Sequence, residues 1–304
     1  MNLLVTGAWD NAKDNIGKLE ELGHSIVYMQ KENESLPCEH SWVEGVICNG
    51  FFLYHPIEMF VNLKYIQVIS AGLDRIPIDY VYEHSIVLHN AKDVYSIPMA
   101  EFAIAGVLQL YKQIDFFREN QQKHCWEKHR GLLELYNKTV CIVGCGSVGT
   151  ECAKRFKAFG CNVIGVNRTV RKDDNYKKMV SIEKLDNVLL KADILVLSVP
   201  LTDQTRYLMN SERFGRLKNG AVLVNISRGA VVDTGALIKA LPLMKGAVLD
   251  VFEEEPLDSY SDLWDMKNVI ITPHNSFVGE GNGNRLSNII IENIIKSTCE
   301  YFCI

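Results

Sequence analysis

The chain has 304 residues, long for one α/β domain and comfortable for two, and its 47% hydrophobic and 23% charged content describes a globular protein rather than a disordered one. A formal charge of −5 lacks the basic excess of a nucleic-acid binder, and no uninterrupted apolar run reaches the ~18 residues of a membrane span. Met1 leads straight into a strand-like segment with no basic and apolar leader, which points to the cytoplasm.

The first third alternates short apolar runs with amphipathic ones. Leu3-Leu4-Val5, Ile26-Val27-Tyr28, Val46-Ile47-Cys48, Ile66-Gln67-Val68-Ile69 and Ile86-Val87-Leu88 read as buried parallel strands. Residues 12–22 and 57–63 read as helices between them, a pattern that implies a doubly wound sheet. Residues 98–121 read as one long helix with Pro98 in its first turn, apolar on almost every face from Ala100 to Leu110 and so buried in a domain or against another subunit.

A second α/β unit starts at Thr139-Val140-Cys141-Ile142-Val143. Its later strands are 163–166, 194–197, 221–224, 246–249 and 269–271, and a helical tail from Arg285 carries Ile289, Ile290, Ile294 and Ile295. The nine cysteines (38, 48, 125, 141, 145, 152, 161, 299 and 303) are odd in number and mostly inside apolar runs, which reads as reduced thiols behaving as small hydrophobes. Cys141 and Cys145 have an explanation better than metal ligation, because Cys145 lies between two glycines, and no metal is expected.

Those glycines belong to Gly144-Cys145-Gly146-Ser147-Val148-Gly149, a GxGxxG turn between a strand and a helical run. Gly144 permits the tight turn, Gly146 lets backbone approach a pyrophosphate, and Gly149 lets the helix pack on the strand. The helix N-terminus then offers free N–H groups to the anion. The second strand of the unit ends at Asn167-Arg168-Thr169, where a carboxylate for the ribose 2′-hydroxyl is usual and none stands. Arg168 has the planar donors for a 2′-phosphate, so NADP is expected over NAD; the alternative is that Arg168 and Arg171 are solvated surface charges.

Three further residues follow three late strands: Arg228 in the NISRGAVVD run, Glu255 in LDVFEEEP and His274 in TPH. Hydride delivered to a keto carbon leaves charge on oxygen, and a histidine beside it supplies the proton in one direction and removes it in the other. A carboxylate favours the imidazolium and fixes its ring, and an arginine holds a substrate carboxylate and polarises the carbonyl. Each alone has an ordinary structural reading. Their order behind a dinucleotide fingerprint is what points to catalysis.

The chain resembles the D-isomer-specific 2-hydroxyacid dehydrogenase family, which includes phosphoglycerate dehydrogenases and glyoxylate/hydroxypyruvate reductases. The resemblance spans nearly the whole chain and rests on Ser70-Ala71-Gly72-Leu73-Asp74, Asn90-Ala91, Ala100-Glu101, Trp126, the glycine turn, Val199-Pro200-Leu201 and the three runs just named. It implies two doubly wound parallel-sheet domains, with a Rossmann cofactor domain (96–280) inserted into a flavodoxin-like substrate domain (1–95 plus 281–304). It further implies a homodimer, no nucleic acid or membrane partner, and reduction of a small 2-oxo acid by NAD(P)H.

Carried over by motif, Arg228 binds the 2-oxo acid, Glu255 pairs with His274, and His274 is the acid/base. Ala71 and Gly72 hold the substrate carboxylate. Ser147 and Val148 touch the pyrophosphate, while Val199, Pro200, Ile226, Ser227 and Asp250 line the nicotinamide and ribose. Phe51 or Phe52 is expected to narrow or grease the substrate pocket. Two rival functions remain: 3-phosphoglycerate oxidation, with Lys64, Arg75 and Lys92 as candidate phosphate contacts, and a dinucleotide-sensing corepressor-like binding protein that lacks turnover.

Overall fold

The computed structural model describes the backbone as far as Phe302 and side chains as far as Thr298; Cys303 and the Cys299 side chain lie outside the described residues. In chain order the first elements are β1 (Asn2–Thr6), α1 (Ala12–Glu21), β2 (Ser25–Met29), β3 (Gly45–Cys48), β4 (Tyr65–Val68), α2 (Ile78–Glu83) and β5 (Val87–His89). Next come α3 (Ser96–Lys112), α4 (Ile114–Gln122), β6 (Thr139–Val143), α5 (Ser147–Ala158), β7 (Asn162–Asn167), β8 (Lys178–Ser181) and α6 (Leu185–Leu189). The chain then runs through β9 (Ile194–Leu197), α7 (Ser211–Phe214), β10 (Val222–Asn225), α8 (Thr234–Ala240), β11 (Gly246–Leu249), β12 (Val269–Ile271) and α9 (Asn282–Phe302).

Contacts divide the chain into two units, Met1–Tyr95 with the segment from Gly279, and Ser96–Val278. The first holds a five-stranded sheet of order β2-β1-β3-β4-β5 and the second a seven-stranded sheet of order β12-β11-β10-β9-β6-β7-β8, all pairs parallel. These are the flavodoxin-like and Rossmann windings of a doubly wound fold.

Both sheets are apolar on both faces, which is why their strands read as unbroken hydrophobic runs. Alternate residues of β6 show it: Cys141 and Val143 join one core cluster, Val140 and Ile142 the other. In the first unit Leu4 faces one cluster while Leu3 and Val5 face the other, where α9 contributes Leu286, Ile290 and Ile294. Among the described residues no helix is long and apolar enough to cross a membrane, and no group of three His, Cys, Asp or Glu is arranged to hold a metal. The seven described cysteines are free thiols. Burial raises the thiol pKa of several, to about 12 at Cys152 and about 11 at Cys161.

Four elements differ from the sequence-based expectation. Residues 57–63 form only a single 3₁₀ turn, Ile57–Met59, whose Ile57, Phe60 and Leu63 are buried as a helix face would be but whose length never exceeds one turn. The long helix is two helices, broken where Gln113 adopts φ +52. Pro98 sits inside the first turn of α3, and Gly106 lies so close to Val248 that an added Cβ would be 2.6 Å from a Val248 methyl. The edge strand β8, with sequence KMVS, was not anticipated. Finally, of the two candidate pocket residues Phe51 is fully buried, stacked on His55 at 4.5 Å and packed on Phe60, while Phe52 is half-buried.

Candidate active site

The glycine turn lies between β6 and α5, where the chain, having wound outward through β7 and β8, returns to β9 on the other side. Such a reversal leaves a crevice at the carboxyl ends of the strands. Gly144 adopts φ +95, and a Cβ there would lie 2.6 Å from the Ser198 carbonyl oxygen. A Cβ on Gly149 would lie 1.9 Å from the Gly144 oxygen, so the helix seats on the turn with no room for a side chain. Gly146 is the opposite case: a Cβ would meet nothing within 4 Å, so backbone alone faces open space at the start of α5. That open space beside a helix N-terminus fits a dinucleotide pyrophosphate, with Ser147 and Val148 half-buried at its rim.

Side chains brace the turn from behind. Ser198 Oγ donates to Gly144 O at 2.8 Å, and the Cys145 amide donates to Asn167 Oδ1 at 3.4 Å. Arg171 donates to Cys145 O at 2.9 Å, so the segment after β7 lies against the glycine turn. Asn167 is half-buried, and Arg168 and Thr169 are exposed. No carboxylate occupies the end of β7. The Cys145 thiol is fully buried, and burial pushes its pKa up despite the neighbouring Arg171 charge, so it stays protonated and inert.

The remaining candidates stand past the ends of β9, β10, β11 and β12. Val199 is half-buried and Pro200 exposed; Ile226 and Ser227 are buried, and Arg228 is half-buried. Asn225, which drew no attention in the sequence, organises the Arg228 turn. Its Oδ1 accepts from the Ser227 amide (3.2 Å) and hydroxyl (2.9 Å), and its Nδ2 donates to Arg228 O (3.1 Å). The guanidinium donates to Ser227 O at 2.8 Å.

Asp250, 1% exposed, organises the histidine loop. Its Oδ1 accepts from Thr272 Oγ1 (2.6 Å) and the Asn275 amide (2.8 Å), and its Oδ2 from the Ser276 amide (3.0 Å). Oδ2 thus accepts one of these bonds and Oδ1 two. The His274 amide donates to Asp250 O at 2.8 Å, and the histidine backbone sits at φ +51, in the left-handed region.

His274 Nδ1 donates to Glu255 Oε2 at 2.8 Å, with side chains 43% and 36% exposed, so the pair is both formed and reachable by a substrate. Of the three consecutive glutamates, Glu255 is the one that meets the imidazole. Its other oxygen accepts from the Phe252 amide at 3.1 Å. Arg228, Glu255 and His274 therefore all belong to the second unit, beyond neighbouring strands of one sheet.

In the first unit, Ala71 is exposed and Gly72 half-buried just past β4. Their turn is tied by Ser70 Oγ donating to Gly72 O (2.8 Å) and Asn90 Nδ2 donating to Ala71 O (2.7 Å). Of the three candidate phosphate contacts, Lys64 is paired with Glu44 at 3.0 Å; Arg75 and Lys92 are exposed.

A family model described as D-isomer specific 2-hydroxyacid dehydrogenase, NAD binding domain, matches residues 104–276. A glyoxylate reductase of Pyrococcus furiosus is 36% identical over 230 residues, 71% of this chain and 68% of that protein. Among solved structures, a D-isomer specific 2-hydroxyacid dehydrogenase from Xanthobacter autotrophicus Py2 in complex with NADPH and MES superposes with a TM-score of 0.81 at 28% identity, covering 98% of this chain and 95% of that one. D-Lactate dehydrogenase from Aquifex aeolicus, complexed with NAD and lactic acid, gives a TM-score of 0.80 at 26% identity, covering 98% and 96%.

Proposed function

The chain belongs to the D-isomer specific 2-hydroxyacid dehydrogenase family, NAD(P)-dependent oxidoreductases, and on that premise we propose that it reduces small 2-oxo acids of the glyoxylate and hydroxypyruvate class with Arg228, Glu255 and His274 as its working set. The observation that carries the reading is the 2.8 Å pairing of His274 Nδ1 with Glu255 Oε2 on the same sheet edge as the dinucleotide cradle.

A nicotinamide held there would supply the hydride. The chain does the rest. Gly144, Gly146, Ser147, Val148 and Gly149 would cradle the pyrophosphate, and Val199, Pro200, Ile226, Ser227 and Asp250 would border the nicotinamide and ribose. Arg228 would hold the substrate carboxylate and draw charge toward the keto oxygen. Because Nδ1 donates to Glu255, Nε2 of His274 is the nitrogen left to carry the mobile proton. Glu255 holds the ring in that orientation and tautomer. Glu255→Gln should therefore lower kcat while sparing KM for the cofactor; an unchanged kcat counts against the pairing.

NADP is the proposed preference over NAD, supported by the carboxylate-free Asn167-Arg168-Thr169 and by a second cation, Arg171, against the glycine turn. One panel tests substrate and cofactor together: NADH and NADPH, each with glyoxylate, hydroxypyruvate, pyruvate, phenylpyruvate and phosphohydroxypyruvate. NADPH should win, and Arg168→Ala should lower kcat/KM for NADPH by about tenfold or more, the worth of a charge-assisted hydrogen bond, while sparing NADH. A wild-type preference for NADH ends the cofactor proposal, and no turnover of any 2-oxo acid ends the functional one.

The same proposal includes a cytoplasmic homodimer. The unpaired thiols of the seven described cysteines suit a reducing compartment. Trp126 is 98% exposed in the segment following α4, and Ile114 and Phe117 stand open on α4 itself, apolar surface suited to a second copy.

A further inference from the structure

The turn that carries Glu255 is poorly held by burial. Glu253, Glu254, Glu255 and Pro256 are all exposed, and the Phe252 amide bond to Glu255 ties the turn only to itself. Besides the Glu255–His274 bond, Glu253 fastens it from outside. One carboxylate oxygen accepts from the Thr234 amide at 2.8 Å, the other from the Tyr207 hydroxyl at 2.8 Å. We propose that Glu253 is a positioning residue, clamping the Glu255 turn to the segments that flank Arg228 and so setting the spacing between imidazole and guanidinium.

Both clamp partners lead back to Arg228. Thr234 opens α8, and its amide is one of the donors a helix start leaves without an intrahelical acceptor. The Tyr207 amide donates to Ala230 O at 2.8 Å, in the 3₁₀ turn directly after Arg228. Tyr207 itself sits at φ +50, a conformation that persists only where the surroundings over-determine it. The two turns also meet backbone to backbone: a Cβ on Gly229 would lie 1.8 Å from the Phe252 carbonyl carbon, so any drift of one turn moves the other. Partial burial alone would raise the pKa of Glu253, but the hydrogen bonds from Thr234 and Tyr207 and the Arg206 charge hold it below its usual value, so the clamp is an anion throughout the neutral range.

Placement of this kind matters because displacing a catalytic group by about 1 Å costs on the order of 10²-fold in rate. The inference rests on the oxidoreductase reading, so wild-type protein is assayed first with glyoxylate, and Tyr207→Phe and Glu253→Gln follow. We expect kcat to fall roughly tenfold or more in each, with KM for NAD(P)H unchanged and the pH–rate profile displaced, the signature of a lost transition-state contact rather than lost cofactor binding. Folded variants with wild-type kcat and profile overturn the proposal. Tyr207→Phe, which removes one hydroxyl from a residue 41% exposed, keeps the test open if Glu253→Gln does not fold. Should the wild type reduce no 2-oxo acid, the functional reading falls by itself. NMR titration of the His274 ring then decides the clamp: a curve displaced in Tyr207→Phe supports it, an identical curve overturns it.

Discussion

Replacing His274 with alanine should lower kcat by roughly 10²–10⁴-fold, the usual contribution of a positioned acid/base. The change removes the imidazole and leaves the loop that holds it. The His274 amide still reaches Asp250 O, and the Asn275 and Ser276 amides still reach the Asp250 carboxylate, because none of these bonds uses the imidazole. Cofactor affinity should therefore survive, measured by quenching of protein fluorescence on titration with NADPH. Near-normal turnover in this variant would remove His274 from the mechanism and leave the Glu255 contact as a surface ion pair.

Two glycines of one turn should fail in different ways. In Gly149→Ala the new methyl meets the Gly144 backbone at 1.9 Å, and backbone cannot step aside as a side-chain tip can. Overpacking of this sort costs about 1–3 kcal/mol, here at the upper end, and lowers the melting temperature by roughly 2–4 °C per kcal/mol for a unit of this size. Dinucleotide binding should go with it. In Gly146→Ala the methyl meets no protein atom, so the melting temperature should hold while NADPH affinity drops, because the methyl occupies the space offered to the pyrophosphate. Thermal scans with and without NADPH separate the two. If Gly146→Ala binds NADPH as the wild type does, the pyrophosphate lies elsewhere.

Much of this site is readable from the chain because parallel strands buried on both faces must be continuous apolar runs, and site residues must follow them. β6 and β10 are apolar and fully buried along almost their whole length, which is why Gly144 and Arg228 are legible by position. What escaped has a different physics. β8 is an edge strand whose Lys178 is exposed, so its hydrophobic signal is weak. The break at Gln113 is a backbone choice that leaves apolar periodicity intact on either side. Phe51 follows β3, where a loop facing substrate and a loop folding under the sheet have the same composition; only its stacking on His55 decides. Glu253 and Glu255 are the same residue type in one acidic run. What separates them is the partner each meets across the fold, Thr234 and Tyr207 for one and His274 for the other, and those partners lie outside any local window.

The left-handed backbone at His274 has a consequence for how this protein can change. An L-residue other than Gly, Asn or Asp pays roughly 1–2 kcal/mol to remain there. Selection for heat endurance alone would favour glycine at 274, and every such step would discard the proposed proton carrier. Durability and turnover thus pull in opposite directions at one residue, so lineages that harden this fold must find their gains elsewhere in the chain.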